Sequence, residues 1–186
     1  MNYFFKITSK PSLPLVYDSD NVINGSHIAI GKFIREDVSL PLVYNDAKNS
    51  DVDFEKLLEY DLLESVGGGW LASKRLVDLI ESNFPKEVQF FKSTFSYKGK
   101  VCDSYSAINI YNKVECYNMD KSEYVKHPVD GSYKFSKIVL KKDQLEEYGM
   151  TYNIVRSSFD NKIVVSELFV DVIKSNKINS ITFKKG

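Results

Sequence analysis

Cysteine is scarce in this chain of 186 residues, with only Cys102 and Cys116 present. Two thiols cannot supply the bridges that staple a small secreted domain, so two reduced, packed side chains are expected. Histidine is as rare. His27 and His127 have no partner at ligand spacing, the cysteines form no Cys-x-x-Cys pair, and no metal site is expected. Neither sign of charge is in excess, since 25 basic residues face 25 acidic ones. That balance removes the global basic field of a nucleic-acid binder and the strong acidity of a disordered chain. No apolar run approaches a membrane span, and the opening MNYFFKITSK lacks the apolar centre of a secretory signal. A cytoplasmic location is the expectation. Glycines occur together only in Val66-Gly67-Gly68-Gly69-Trp70, which has neither the lysine nor the spacing of a phosphate-binding loop. That stretch reads as a structural joint after a helix, with Trp70, the only tryptophan, as a core residue. No serine or cysteine sits in a nucleophile elbow, and no cofactor is expected.

What the chain does have is aromatic residues, 12 Tyr and 12 Phe, which favour strands and buried or interfacial surfaces. Its neutrality also hides an asymmetry. Residues 1–93 carry 10 basic and 14 acidic residues, and residues 94–186 carry 15 and 11, giving halves of −4 and +4. The organising feature is a repeat. SKRLVDLIESNFPKEVQFFK (Ser73–Lys92) aligns without a gap on SELFVDVIKSNKINSITFKK (Ser166–Lys185). Each copy opens on a serine suited to an N-cap, continues with apolar residues at helical spacing, and ends in an alternating strand. Asn83 and Asn176 fall where the helical pattern stops and suit a left-handed helix end. The fold expected is α+β: a mainly antiparallel sheet, two similar helix–strand units, and an N-terminal acidic helix. One domain over 1–186 is expected, with 1–66 as an N-terminal subregion and 70–186 as its core.

Along the chain, Asn2–Ile7 reads as a first strand, and Val22–Phe33 as another with Asn24-Gly25 as its turn. SLPLVYD (Ser12–Asp18) and SLPLVYN (Ser39–Asn45) share six residues, and their prolines point to edge or connecting segments. Phe54, Leu57, Leu58 and Leu62 fall on one helical face capped by Ser50 or Asp51. Asp51, Asp53 and Glu55 suit the start of such a helix, whereas Glu59, Asp61 and Glu64 would crowd its unfavourable end. Val88–Tyr97 and Lys100–Tyr111 read as strands joined by Lys98-Gly99, on which Tyr105, Asn109 and Tyr111 could share a polar, aromatic face. Ile138–Leu140 reads as a strand and Lys142–Tyr148 as a helical turn. Tyr152–Arg156 and Lys162–Val165 read as a hairpin around Asp160-Asn161.

These elements also support a resemblance. An alternating strand run leads into Val114-Glu115-Cys116-Tyr117-Asn118-Met119-Asp120-Lys121-Ser122, followed by Ile138-Val139-Leu140 and Ile163-Val164-Val165-Ser166-Glu167. Phe84–Phe91 and the closing Ile178-Asn179-Ser180-Ile181-Thr182-Phe183 fit as well, although Asn179 stands where a glycine is usual. Over residues 70–185 the chain resembles a family of bacterial immunity proteins from polymorphic-toxin and contact-competition systems, formerly a domain of unknown function. The resemblance implies an α+β protein, encoded beside a toxin, that neutralises it by binding, without cofactor or catalytic residues. On that reading the partner is a cognate protein toxin, for which a basic nuclease would suit the acidic stretch. The first expected contact surface is Asp51, Asp53, Glu55, Glu59, Asp61 and Glu64; the second is the face of Tyr105 and Tyr111. Two rivals stay open. A small detoxifying enzyme predicts a pocket of converging polar groups, and a DNA-binding regulator predicts a continuous basic face around Lys134, Lys137, Lys141 and Lys142.

Overall fold

The computed structural model describes residues 1–35, 38 and 41–186. The first half of the chain runs β1 (Asn2–Ile7), β2 (Leu15–Tyr17), α1 (Gly25–Ala29), β3 (Leu42–Asp46), α2 (Phe54–Leu57) and β4 (Leu62–Val66). Next come β5 (Trp70–Ser73), α3 (Lys74–Asn83), β6 (Gln89–Tyr97), β7 (Lys100–Cys102), β8 (Tyr105–Asn109) and β9 (Lys113–Val114). Two small hairpins follow, β10 (Glu123–Lys126) with β11 (Tyr133–Lys137), and β12 (Leu145–Glu147) with β13 (Met150–Tyr152). The chain closes with β14 (Ile154–Ser157), β15 (Ile163–Ser166), α4 (Glu167–Ser175) and β16 (Ile181–Lys185).

The architecture is α+β, built on two sheets. Strands β3, β2, β4, β5, β8 and β6 follow one another, and β3 also pairs with β6, so the six close into a barrel from which β7 extends. The other sheet is open, in the order β16-β1-β15-β14-β9. Alternation explains β6: Phe91, Ser93, Phe95 and Tyr97 are buried, while Lys92 is exposed. Lys98 and Gly99 both take positive φ, 49° and 77°, as a two-residue hairpin turn requires. The twin SLPLVY runs do not lie at edges. Their strands β2 and β3 pair with each other, Val16 opposite Asn45, inside a ring in which β4 lies on the other side of β2 and β6 on the other side of β3. Ser39 and Leu40 of the second run lie outside the described residues.

The repeat is structural. β5 and β6 flank β8, and β15 and β16 flank β1, each pair antiparallel to the strand between and joined by its helix, α3 or α4. Ser73 Oγ accepts the amide of Leu76 at 3.3 Å, and Ser166 Oγ accepts that of Phe169 at 3.2 Å. The expected left-handed asparagines are not found, because Asn83 ends α3 within the helix and Asn176 has φ −89°. Instead their side chains donate back to Leu79 and Val172 at 2.8 and 2.9 Å. Ser82 and Ser175 do the same toward Asp78 and Asp171, both at 2.7 Å. Leu76, Ile80, Phe84, Phe169 and Ile173 then share one core between the sheets, with Phe84 and Phe169 rings 5.1 Å apart.

Each copy also clasps the other. In the first, Ser73 donates from its amide to Asp61 O (2.8 Å) and from its hydroxyl to Asp61 Oδ1 (2.9 Å). Asn179, from the loop before β16, donates its amide to Asp61 Oδ2 and accepts the Asp61 amide, at 2.8 and 2.9 Å. In the second, Ser166 makes the same two bonds to Asn153, at 2.9 and 2.7 Å. There Glu87, from the loop before β6, accepts the amides of Asn153 and Ile154 at 2.6 and 3.0 Å. Each cap is therefore tied to the helix–strand loop of the opposite copy.

Several local expectations give way to tertiary packing. Val22–Phe33 holds helix α1, not a strand, and Asn24 caps it by accepting the Ser26 amide at 2.9 Å. The glycine run turns the β4–β5 hairpin and follows a strand, not a helix. A Cβ on Gly68 would lie 2.0 Å from the Tyr17 ring, so this close approach requires glycine. Lys142–Tyr148 contains strand β12 in place of a helical turn, and Ile138–Leu140 provides only a single bridge, Tyr117 to Leu140. Both cysteines are buried and free, and burial pushes the Cys116 thiol up to about 12.

Candidate functional site

The acidic stretch is not one helix. α2 is a single turn over Phe54–Leu57, and β4 begins at Leu62. Leu62 packs in the core between the sheets and Leu63 packs inside the barrel, so consecutive leucines need opposite faces, which only a strand supplies. Glu59, Asp61 and Glu64 therefore do not crowd a helix end. Asp61 is 5% exposed and accepts a two-point contact from Arg75, at 2.6 and 3.2 Å, beside its bonds to Ser73 and Asn179. At that burial it presents little surface of its own, although it lines a shallow pocket with Glu59, Arg75 and Asn179. Glu64 is half-buried, and that burial raises its pKa despite a hydrogen bond from the Leu13 backbone. Asp51, Asp53, Glu55 and Glu59 remain exposed around α2. Glu55 pairs with Lys100, whose hydrogen bond holds the carboxyl below its ordinary range.

The expected tyrosine face does not form. Tyr105 is 3% exposed, points into the barrel and donates to Tyr60 O at 2.6 Å; burial raises its pKa. Asn109 is buried as well and donates to Lys32 O at 2.8 Å. Tyr111 lies beyond the end of β8, half-buried, with its hydroxyl bonded to Lys86 O and its ring 4.9 Å from Phe33.

A second region gathers the opposite charge, and nothing in the sequence pattern announced it. β1 pairs with β15 only as far as Phe4 opposite Val164, yet it pairs with β16 through Ile7 opposite Ile181. Where β1 and β15 part, a cleft of about 540 Å³ opens. Phe5 and Trp70 line it, their rings stacked 5.5 Å apart at 14°, together with Phe135 and Ile138. Its charged lining is Lys6, Lys162, Lys184 and Arg156, with no carboxylate. Asp160 lies just behind, 2.7 Å from Lys162, and accepts the Tyr117 hydroxyl at 2.6 Å.

Arg156 is the unusual member, 7% exposed and without a carboxylate partner among the described residues. It donates to the carbonyls of Ile110 (2.7 Å), Ile28 (3.2 Å) and Asn161 (3.3 Å). Burial lowers its pKa to about 10. Gly31 makes room for it at φ 71°, since a Cβ there would lie 2.4 Å from Arg156 Nε. Beside the cleft stands the β10–β11 hairpin. Phe135 packs on Tyr117 at 5.2 Å, while Val125 and Val129 are 70% and 87% exposed. Lys137 pairs with Glu123 across this hairpin at 3.7 Å, whereas Lys141 and Lys142 lie beyond it, next to Asn2.

Among the described residues no three His, Cys, Asp or Glu side chains gather closely enough to hold a metal ion. His127 instead contacts Asp130 at 3.1 Å. No described helix is long and apolar enough to cross a membrane. A family model described as an immunity protein family, Imm11, matches residues 36–186. The chain belongs to the Imm11 immunity protein family. No curated protein matches it. The Imm11 match begins well before residue 70, where the resemblance read from the sequence starts, and takes in β3, α2, β4 and everything after them. β1 and β2 lie outside it, although β1 is the middle strand between β15 and β16, and β2 joins β3 to β4 in the barrel.

Proposed function

We propose that this Imm11 chain neutralises a cognate bacterial toxin by binding and occluding it. The family match over residues 36–186 carries the reading. Occlusion needs a surface of about 800 Å² on each partner, with a few aromatic or charged anchors at its centre. The cleft and its neighbouring hairpin offer such groups, and the −4 and +4 halves of the chain offer both signs of charge for orienting an encounter. Co-expression with the product of the adjacent toxin gene is expected to restore growth and to yield a co-purifying complex. Growth arrest despite abundant folded chain, with no complex, would overturn the proposal.

The carboxylates that remain exposed, Asp51, Asp53, Glu55 and Glu59, suit a steering role toward a basic toxin body such as a nuclease. Charges at an interface rim act chiefly on the association rate and lose strength with salt. The double reversal Asp53→Lys/Glu59→Lys is expected to slow association by about tenfold at low ionic strength and to leave dissociation unchanged. Stopped-flow mixing at two salt concentrations checks this. An association rate equal to that of the natural chain at low salt rejects the steering role.

A further inference from the structure

The cleft between β1 and the β14–β15 turn combines three properties that seldom coincide on a solvated surface. It has an aromatic lining, in which Phe5 and Trp70 stack at 5.5 Å. It carries four cations and no carboxylate among its lining residues. It also borders open backbone: β1 continues to Ile7 with β16 on one side, while its pairing to β15 has stopped at Phe4. A strand that loses one neighbour presents backbone donors and acceptors along that edge, which an added extended segment can satisfy.

The charges are arranged to keep their strength. Lys162 is partly answered by Asp160 at 2.7 Å, but Lys6 and Lys184 have no carboxylate within ion-pair distance among the described residues. Arg156 has five N–H donors and gives three hydrogen bonds to carbonyl oxygens, so its buried charge is solvated by dipoles and not neutralised. Exposed lysines alone would be an ordinary anti-aggregation edge. Cross-strand pairing puts Lys6 and Lys184 on the face of Phe4, and Phe5 with Trp70 on the other. At the edge that β15 leaves open, a cationic face and an aromatic one therefore meet beside a guanidinium with no counter-ion among the described residues.

We infer that this cleft receives an extended acidic segment of the toxin, one apolar side chain lying against Phe5 and Trp70 and flanking carboxylates meeting Lys6, Lys184 and Arg156. The inference rests on the neutralisation proposed above and adds the chemistry of the anchoring contact. The occupant is a peptide segment because the cleft offers a free strand edge as well as charge. An anchor held in a desolvated pocket acts on dissociation, in contrast to the steering carboxylates around α2.

Trp70 is the only tryptophan in the chain, so the chain's own tryptophan fluorescence, read against that of a toxin stripped of tryptophan, reports on this cleft. Arg156 is left in place in the test because it holds α1 to the open sheet; Lys6 and Lys184 are exposed and can be reversed without disturbing the core. In the complex with the purified toxin, iodide quenching of Trp70 is expected to fall several-fold. The variant Lys6→Glu/Lys184→Glu, with unchanged melting temperature, is expected to bind about 100-fold more weakly through faster dissociation. Equal affinity of that variant, or a Trp70 still fully open to iodide in the complex, would overturn the cleft assignment while leaving neutralisation intact. If the natural chain forms no complex, the neutralisation proposal fails, and a synthetic peptide of alternating glutamate and leucine decides the cleft. A saturable change in Trp70 emission, absent in the variant and absent with the lysine–leucine peptide, supports it, and no change overturns it.

Discussion

Asp61→Ala is expected to destabilise the chain by about 3 kcal/mol and to lower its melting temperature by about 10 °C, measured by thermal and urea unfolding. The effect comes mainly from what the carboxylate accepts inside the fold, and less from its charge. Arg75 is more than half exposed, so its ion pair with Asp61 is screened and contributes little. The Ser73 hydroxyl and the Asn179 amide bond the buried carboxylate in a part-buried setting, and alanine leaves both without their acceptor. The graded series follows from this. Arg75→Ala is expected to cost under about 1 kcal/mol, and Asp61→Asn, which keeps one of the two acceptor oxygens, to fall between. If Arg75→Ala proved as damaging as Asp61→Ala, the charge pair and not the clasp would be the source. The same logic makes Glu87 the counterpart of Asn179 on the opposite side of the repeat, since it gathers the Asn153 and Ile154 amides.

Arg156→Met is expected to cost a similar amount, about 3 kcal/mol, although no carboxylate loses a partner. Methionine approximates the length of the aliphatic stem but cannot donate. The carbonyls of Ile28, Ile110 and Asn161 would lose charge-assisted bonds, and α1 would lose its tie to the open sheet. The pH dependence has a definite sign. Burial depresses the pKa of Arg156 to about 10, so the unfolded chain binds more protons than the folded one only between that value and the ordinary guanidinium range. The contribution of Arg156 thus changes with pH only in that alkaline window, where stability rises with pH. Below it the penalty of Arg156→Met should be constant, for example from about pH 6 to 9. A penalty that varied strongly across the neutral range would mean that a titrating carboxylate partners the guanidinium.

Most of the repeat can be read in the sequence because its determinants are local. Ser73 and Ser166 precede apolar residues at helical spacing, and a cap needs only the next few amides to act. The Lys98-Gly99 turn is legible for the same reason. The acidic stretch was misleading because Phe54, Leu57, Leu58 and Leu62 satisfy a helical period by coincidence. Strand β4 is buried on both faces, and such a strand has no alternation to betray it. Barrel closure rests on the parallel pairing of Leu42–Tyr44 with Ser93–Phe95, a contact between distant segments that no short window encodes. It also explains why the paired SLPLVY runs sit within a ring despite their edge-like prolines.

The candidate sites divide along the same line. Exposure of Asp51, Asp53, Glu55 and Glu59 could be anticipated from composition. The burial of Asp61 could not, because it depends on Ser73 and Asn179 arriving from the two copies of the repeat. Tyr105 looked like a recognition residue, yet β8 turns it into the barrel, where its hydroxyl finds the Tyr60 carbonyl. The cleft was hidden most completely. Lys6, Trp70, Arg156 and Lys184 come from four strands and meet only because β1 parts from β15 after Phe4.

Titrating the purified toxin with the folded chain tests the central claim most directly. A binder consumes itself mole for mole, so toxin activity should fall in a straight line and reach zero at about one equivalent, with a complex of matching composition on a sizing column. Silencing of the toxin by a small fraction of an equivalent, progressing with time and leaving the chain free, would contradict occlusion and point to catalysis in its place.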